Sequence, residues 1–126
     1  MSSPELTLRA FGEEIGIAGL AFGQRGSVAI RTESGRQLGV EQGEHAMLVH
    51  LSQPASYDAA DWLLKAWKRA HYSHAGDMPL QVALHDRDGE RRLLVLARIR
   101  TAEFTVLRLH QTLDHLSRWL DALRHE

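Results

Sequence analysis

The chain has 126 residues, 44% of them hydrophobic and 25% charged, with 15 Lys plus Arg against 16 Asp plus Glu and no cysteine. That length suits a single domain over residues 1–126, and the near-neutral charge supplies no cationic excess for a polyanion, so no nucleic-acid partner is expected. Without cysteine there are no disulfides, thiolate metal sites or cysteine nucleophiles, and no apolar run approaches the ~18 residues of an integral membrane segment.

The opening Met1-Ser-Ser-Pro-Glu5 lacks the basic and apolar regions of a signal peptide, so a cytosolic location is expected. Ser3 is placed to N-cap a first helix, with Pro4 in its first turn and Glu5 at the positive end of its dipole. Leu8, Phe11 and Ile15 form one apolar stripe with Leu6 beside it, and Gly16 is the stop, reaching the left-handed conformation cheaply. Glycines 16, 19, 23 and 26 then cluster, but neither GxGxxG nor GxxxxGK[ST] occurs, so they read as turns rather than a phosphate cradle.

Three short extended runs follow. Val28 and Ile30 alternate in Ser27–Arg31, Leu38 and Val40 in Gln37–Glu41, and Met47, Val49 and Leu51 in Ala46–Leu51. Their close spacing predicts an antiparallel meander, because parallel strands need crossovers of about a dozen residues or more. From Ser56 or Asp58 to about His71 a second helix is expected, with Ala59, Leu63, Trp67 and Ala70 at helical spacing and Trp62 and Leu64 widening the stripe. Gly76 and Pro79 close that segment. Leu80–His85, the turn Asp86-Arg-Asp-Gly89 and Arg91–Arg100 read as a hairpin. On its return strand Leu93, Val95, Ala97 and Ile99 share one face while Leu94 and Leu96 take the other, as in a strand covered on both sides. Thr105 caps a last helix whose Val106, Leu109, Leu113, Leu116, Leu120 and Leu123 form a seam. The order α-β-β-β-α-β-β-α predicts an α+β fold, one antiparallel sheet covered by helices.

No catalytic, cofactor-binding or metal site stands out. None of the eight histidines lies four residues from another, and His110 and His115 point about 140° apart around a helix. Asp86–Gly89 lacks the ligands of a calcium loop, Glu13 and Glu14 diverge by about 100°, and no serine occupies a G-x-S-x-G elbow. Thirteen of the fifteen cations are arginine and asparagine is absent, which reads as genome composition rather than chemistry. What remains is apolar surface on the second helix and on the outer face of the fifth strand, where buried tryptophans would suit an interface.

The order of elements, the opening Leu8-Arg-Ala-Phe-Gly-Glu-Glu-Ile-Gly16, Gly76-Asp-Met-Pro-Leu80, the strand Leu93–Ile99 and Val106-Leu-Arg-Leu-His-Gln-Thr-Leu113 resemble the class I type III secretion chaperones of the CesT/SycE-like fold. The C-terminal half is most similar to the SycN-like chaperones of a secretion gatekeeper. The resemblance implies a non-enzymatic chaperone without cofactor in the bacterial cytoplasm, peripheral to the inner membrane at the export apparatus. It also implies binding of the N-terminal segment of a secreted effector or gatekeeper protein in extended form. It implies a homodimer, or a heterodimer with a second small chaperone. Cargo contacts are then expected at Leu6, Ala10, Phe22, Val28, Ile30 and Val40, and dimer contacts at Trp62, Leu63, Ala66, Trp67 and Leu94. The alternatives are a small-molecule-binding or sensory α+β domain with His50 and Arg98 in its pocket, and a metal-dependent enzyme using His71 and His74. The near-neutral charge departs from the acidity common in the chaperone family.

Overall fold

A computed structural model describes residues 3–55, 61, 63–65, 67–68, 80–87 and 89–124. The observed order is α1 (Pro4–Glu14), β1 (Ser27–Arg31), β2 (Gln37–Gln42), β3 (Ala46–Pro54), helical residues at 61, 63–65 and 67–68 (α2), β4 (Gln81–Arg87), β5 (Glu90–Arg100), a short 3-10 turn (Thr101–Glu103) and α3 (Val106–Arg124). The five strands form one antiparallel sheet in the spatial order β1-β2-β3-β5-β4. The α+β class expected from the sequence is the one observed.

The caps form as the sequence prescribes. Ser3 accepts the Leu6 amide at 3.2 Å, Thr105 accepts the Arg108 amide at 3.1 Å, and Gly16 takes φ +87° just beyond α1. Alternation then sorts the strands. Leu38, Val40, Met47, Val49, Leu51, Leu93, Val95, Ala97 and Ile99 face the helices and are buried. Leu8 and Phe11 of α1 and Leu109, Leu116, Trp119, Leu120 and Leu123 of α3 cover them. His110 binds α3 to α1 by tilting over the Phe11 ring, 4.8 Å between centroids, and by a 3.2 Å contact with Glu14.

Two expectations are corrected. Ile15 does not continue the apolar stripe: α1 ends at Glu14 and Ile15, its C-cap, turns outward at 41% exposure, while Thr7 and Gly12 fill the buried face instead. Val40 is 1% exposed, sandwiched in the core opposite Val28 and Val49, so it supports the sheet rather than facing a ligand.

Candidate functional site

The sheet order leaves β1 and β4 at its edges. The parity of the β1–β2 ladder follows from two bonds at its ends, Gln42 N–H to the Gly26 carbonyl and Thr32 N–H to the Arg36 carbonyl, both 2.8 Å. Residues alternate in the direction of their backbone groups, so Val28 and Ile30 bond to β2 while Ser27, Ala29 and Arg31 turn theirs outward. The Gly23 amide takes the Ser27 carbonyl at 2.8 Å, as this parity requires. Ala29 and Arg31 therefore present N–H and C=O groups along an edge beyond which no strand lies among the described residues. A row of this kind is a template for another extended chain.

Three of the expected cargo residues lie on or next to that edge strand. Val28 and Ile30 sit on β1 itself, half-buried against the core, with Phe22 half-buried in the preceding loop. Leu6, 57% exposed, and Ala10 lie on the outer side of α1. Gln42 donates to Glu5 at 3.2 Å, which fixes the start of α1 near the Ser27 end of β1. The backbone N–H of Glu5, then the Gln42 bond and, least, the Ser3 side chain hold the Glu5 carboxyl below its usual range.

The dimer set is less gathered. Trp62 and Ala66 lie outside the described residues, as do His71 and His74. Leu63 packs against the core, Trp67 is 59% exposed, and Leu94 belongs to the opposite face of the sheet. On that face the rows Ala29–Gly39–His50–Leu96–Gln81 and Arg31–Gln37–Ser52–Leu94–Ala83 run across all five strands. They form a shallow concavity of about 380 Å³, walled by Leu94 and Leu96 and carrying His50, His85, Gln37 and Arg92. Arg98 does not line it. The His50 ring lies over Gly39, where a Cβ would overlap it, and its Nδ1 is buried with no hydrogen-bond partner among the described residues. Burial pushes the His50 pKa down, opposed by the Glu41 charge and aided by His85.

Sequence reasoning missed Arg36, Arg92 and the Gly39–His50 contact. Only the last left a signal, since a glycine inside a strand marks a close approach. Among the described residues, no three His, Asp or Glu side chains come together as metal ligands, and no helix is long and apolar enough to cross a membrane.

No protein-family model matches the chain, and no curated protein matches it. Solved structures do. A chain of the HopA1–SchA chaperone–effector complex superposes with a TM-score of 0.69 at 16% identity, covering 95% of this chain and 91% of that one. The type III secretion chaperone SycH of Yersinia pestis, solved with a stable fragment of YscM2, gives 0.64 at 14% identity over 96% and 99%. YbjN of E. coli, a candidate transcription regulator, gives 0.59 at 12% identity over 93% and 85%. At these identities the likeness is one of fold.

Proposed function

We propose that this chain is a type III secretion chaperone that captures an extended segment of a secreted protein along β1. The observation that carries the reading is the outward-turned backbone of Ala29 and Arg31, with the half-buried side chains of Phe22, Val28 and Ile30 beside it; Leu6 and Ala10, exposed on α1, are proposed as further apolar contacts for the cargo. Main-chain bonds to such an edge are sequence-tolerant, and neighbouring apolar sites add selectivity. The fold shared with SycH and with the HopA1–SchA complex supports this reading. YbjN shares it too, so the fold alone does not select this function and the β1 edge does. The cargo is the N-terminal segment of an effector or gatekeeper protein, and SycN-like gatekeeper service is the finer assignment. The chain acts as one domain, without catalysis, in the bacterial cytoplasm and at the export apparatus. It pairs through Trp62, Leu63, Ala66, Trp67 and Leu94 with itself or a second small chaperone. The concavity over Leu94 and Leu96 favours a second reading, a small-molecule-binding domain.

A generic strand separates the two. A ten-residue peptide of alternating valine and threonine with lysine ends should bind and shift the amide resonances of Ala29 and Arg31. Its fully N-methylated analogue, lacking donors, should not bind. Equal binding of both, or shifts confined to His50, Leu94 and Leu96, would defeat strand capture.

A further inference from the structure

Among the described residues β1 is hydrogen-bonded to one strand only, so its position depends on what anchors the β1–β2 hairpin. The turn bonds to itself, through Thr32 N–H to Arg36 O at 2.8 Å and Gly35 N–H to Thr32 O at 3.1 Å, which closes it without fastening it to the rest of the molecule. The hairpin is joined to the sheet by the β2–β3 ladder, and two arginines fasten its turn end in addition, from opposite faces of the sheet. On the helix side Arg36 donates from Nε to Gln53 Oε1 of β3 at 3.2 Å, from Nη1 to Ser117 Oγ at 3.1 Å and from Nη2 to Asp121 of α3 at 2.7 Å. On the open side Arg92 of β5 donates from Nε to Ser52 Oγ at 2.9 Å. Its Nη2 reaches the carbonyls of Gly35, at 2.9 Å, and Ser52, at 3.1 Å, and its Nη1 reaches Glu90 at 2.9 Å. Both arginine side chains are largely buried, at 11% and 8% exposure, so their bonds to Gln53, Ser117, Ser52 and Gly35 are shielded from solvent, while the carboxylates of Asp121 and Glu90 stay exposed, at 60% and 45%.

The planar fork of a guanidinium suits such a junction, where several acceptors from different elements meet at fixed angles. A receptor strand held in place before binding spares the incoming chain the cost of ordering it. A hairpin that frays lowers apparent affinity by the fraction of time it is ordered. We propose that Arg36 and Arg92 are positioning residues that hold the β1 edge receptive to an incoming strand; this rests on the capture reading above. Neither touches the captured chain. They act through residues 35 and 36, which tie the turn end of the hairpin to the sheet and to α3.

Arg36→Met, Arg92→Met and Arg92→Lys test this, with backbone amide exchange and uptake of the valine–threonine peptide as readouts. Exchange at Val28 and Ile30 should rise about tenfold or more while Val49 and Val95 stay protected, and peptide affinity should fall by a similar factor. Lysine at 92 should not restore either, lacking the fork. Arg36→Met is the milder variant and serves if the largely buried site at 92 does not tolerate methionine. Unchanged exchange on β1, an equal rise at Val49 and Val95, or faster exchange with unchanged affinity would each overturn the positioning role. If the unsubstituted chain takes up no peptide, the capture reading falls and takes the positioning role with it. Loss of uptake in the variants alone isolates the arginines.

Discussion

The imidazole of His50 occupies volume that any residue but glycine would claim at position 39. Packing a half-buried ring against backbone removes water from one of its nitrogens, and Nδ1 gains no partner in exchange among the described residues. The neutral form is therefore favoured, and the folded-state pKa lies below the ordinary value of 6.5. The unfolded chain then binds the extra proton, so this histidine's contribution is fully present above about pH 6.5. It is lost as pH falls from there toward the lowered folded value. Denaturant titrations of the parent and of His50→Phe should diverge in that window, the variant losing that part of the slope; parallel curves would mean the ring is not desolvated. Gly39→Ala provides the complementary test. The added methyl drives the ring toward solvent, and its pKa, followed by NMR, should climb back toward the ordinary value.

At the scale of elements, α3 contributes most of the cover over the sheet. Leu116 is wholly buried, and Leu116→Ala should cost roughly 2–5 kcal/mol by chemical denaturation, against about 1 kcal/mol for Thr105→Ala, which removes one cap. A reversed order would mean the helix is held by its end rather than its seam. The seam was legible in the sequence because leucines at three- and four-residue steps have one physical solution. Thr112 was not: it is wholly buried, its hydroxyl returned to the Arg108 carbonyl at 2.8 Å, a local bond that hides its polarity. Strand faces were legible for the same reason as the seam, since alternation decides which side a residue points to. Alternation does not say which strand lies next to which. The edge role of β1 therefore came only from the spatial order, in which β5 inserts between β3 and β4. The arginine junctions are illegible in principle, because Arg36 binds partners 17, 81 and 85 residues away and Arg92 reaches Gly35 across 57. An abundance of arginine in the chain further masks the two that are buried.

For the whole molecule, among the described residues, one side of the sheet is roofed by α1 and α3 while the other is a shallow surface that includes apolar Leu94 and Leu96. Leu94 on that surface and, on α2, the exposed Trp67 are residues through which pairing with another chain is proposed. Light scattering on the isolated protein should give twice 14.2 kDa, and Trp67→Glu should halve that mass with circular dichroism unchanged. A monomeric parent would remove the homodimer, and an unfolded variant would make Trp67 part of the core. The insertion of β5 also bears on how the chain reaches this state. Its pairing with β3 joins residues between 38 apart, Pro54 with Arg92, and 54 apart, Ala46 with Arg100. The β1–β2–β3 meander is local by comparison and closes quickly, whereas the central ladder waits for a long loop to close. During synthesis, then, β3 emerges as a nine-residue edge with Met47, Val49 and Leu51 uncovered, and stays so until β5 has been made. A chain proposed to keep other polypeptides extended passes through a stage in which its own central strand is the one left without a neighbour.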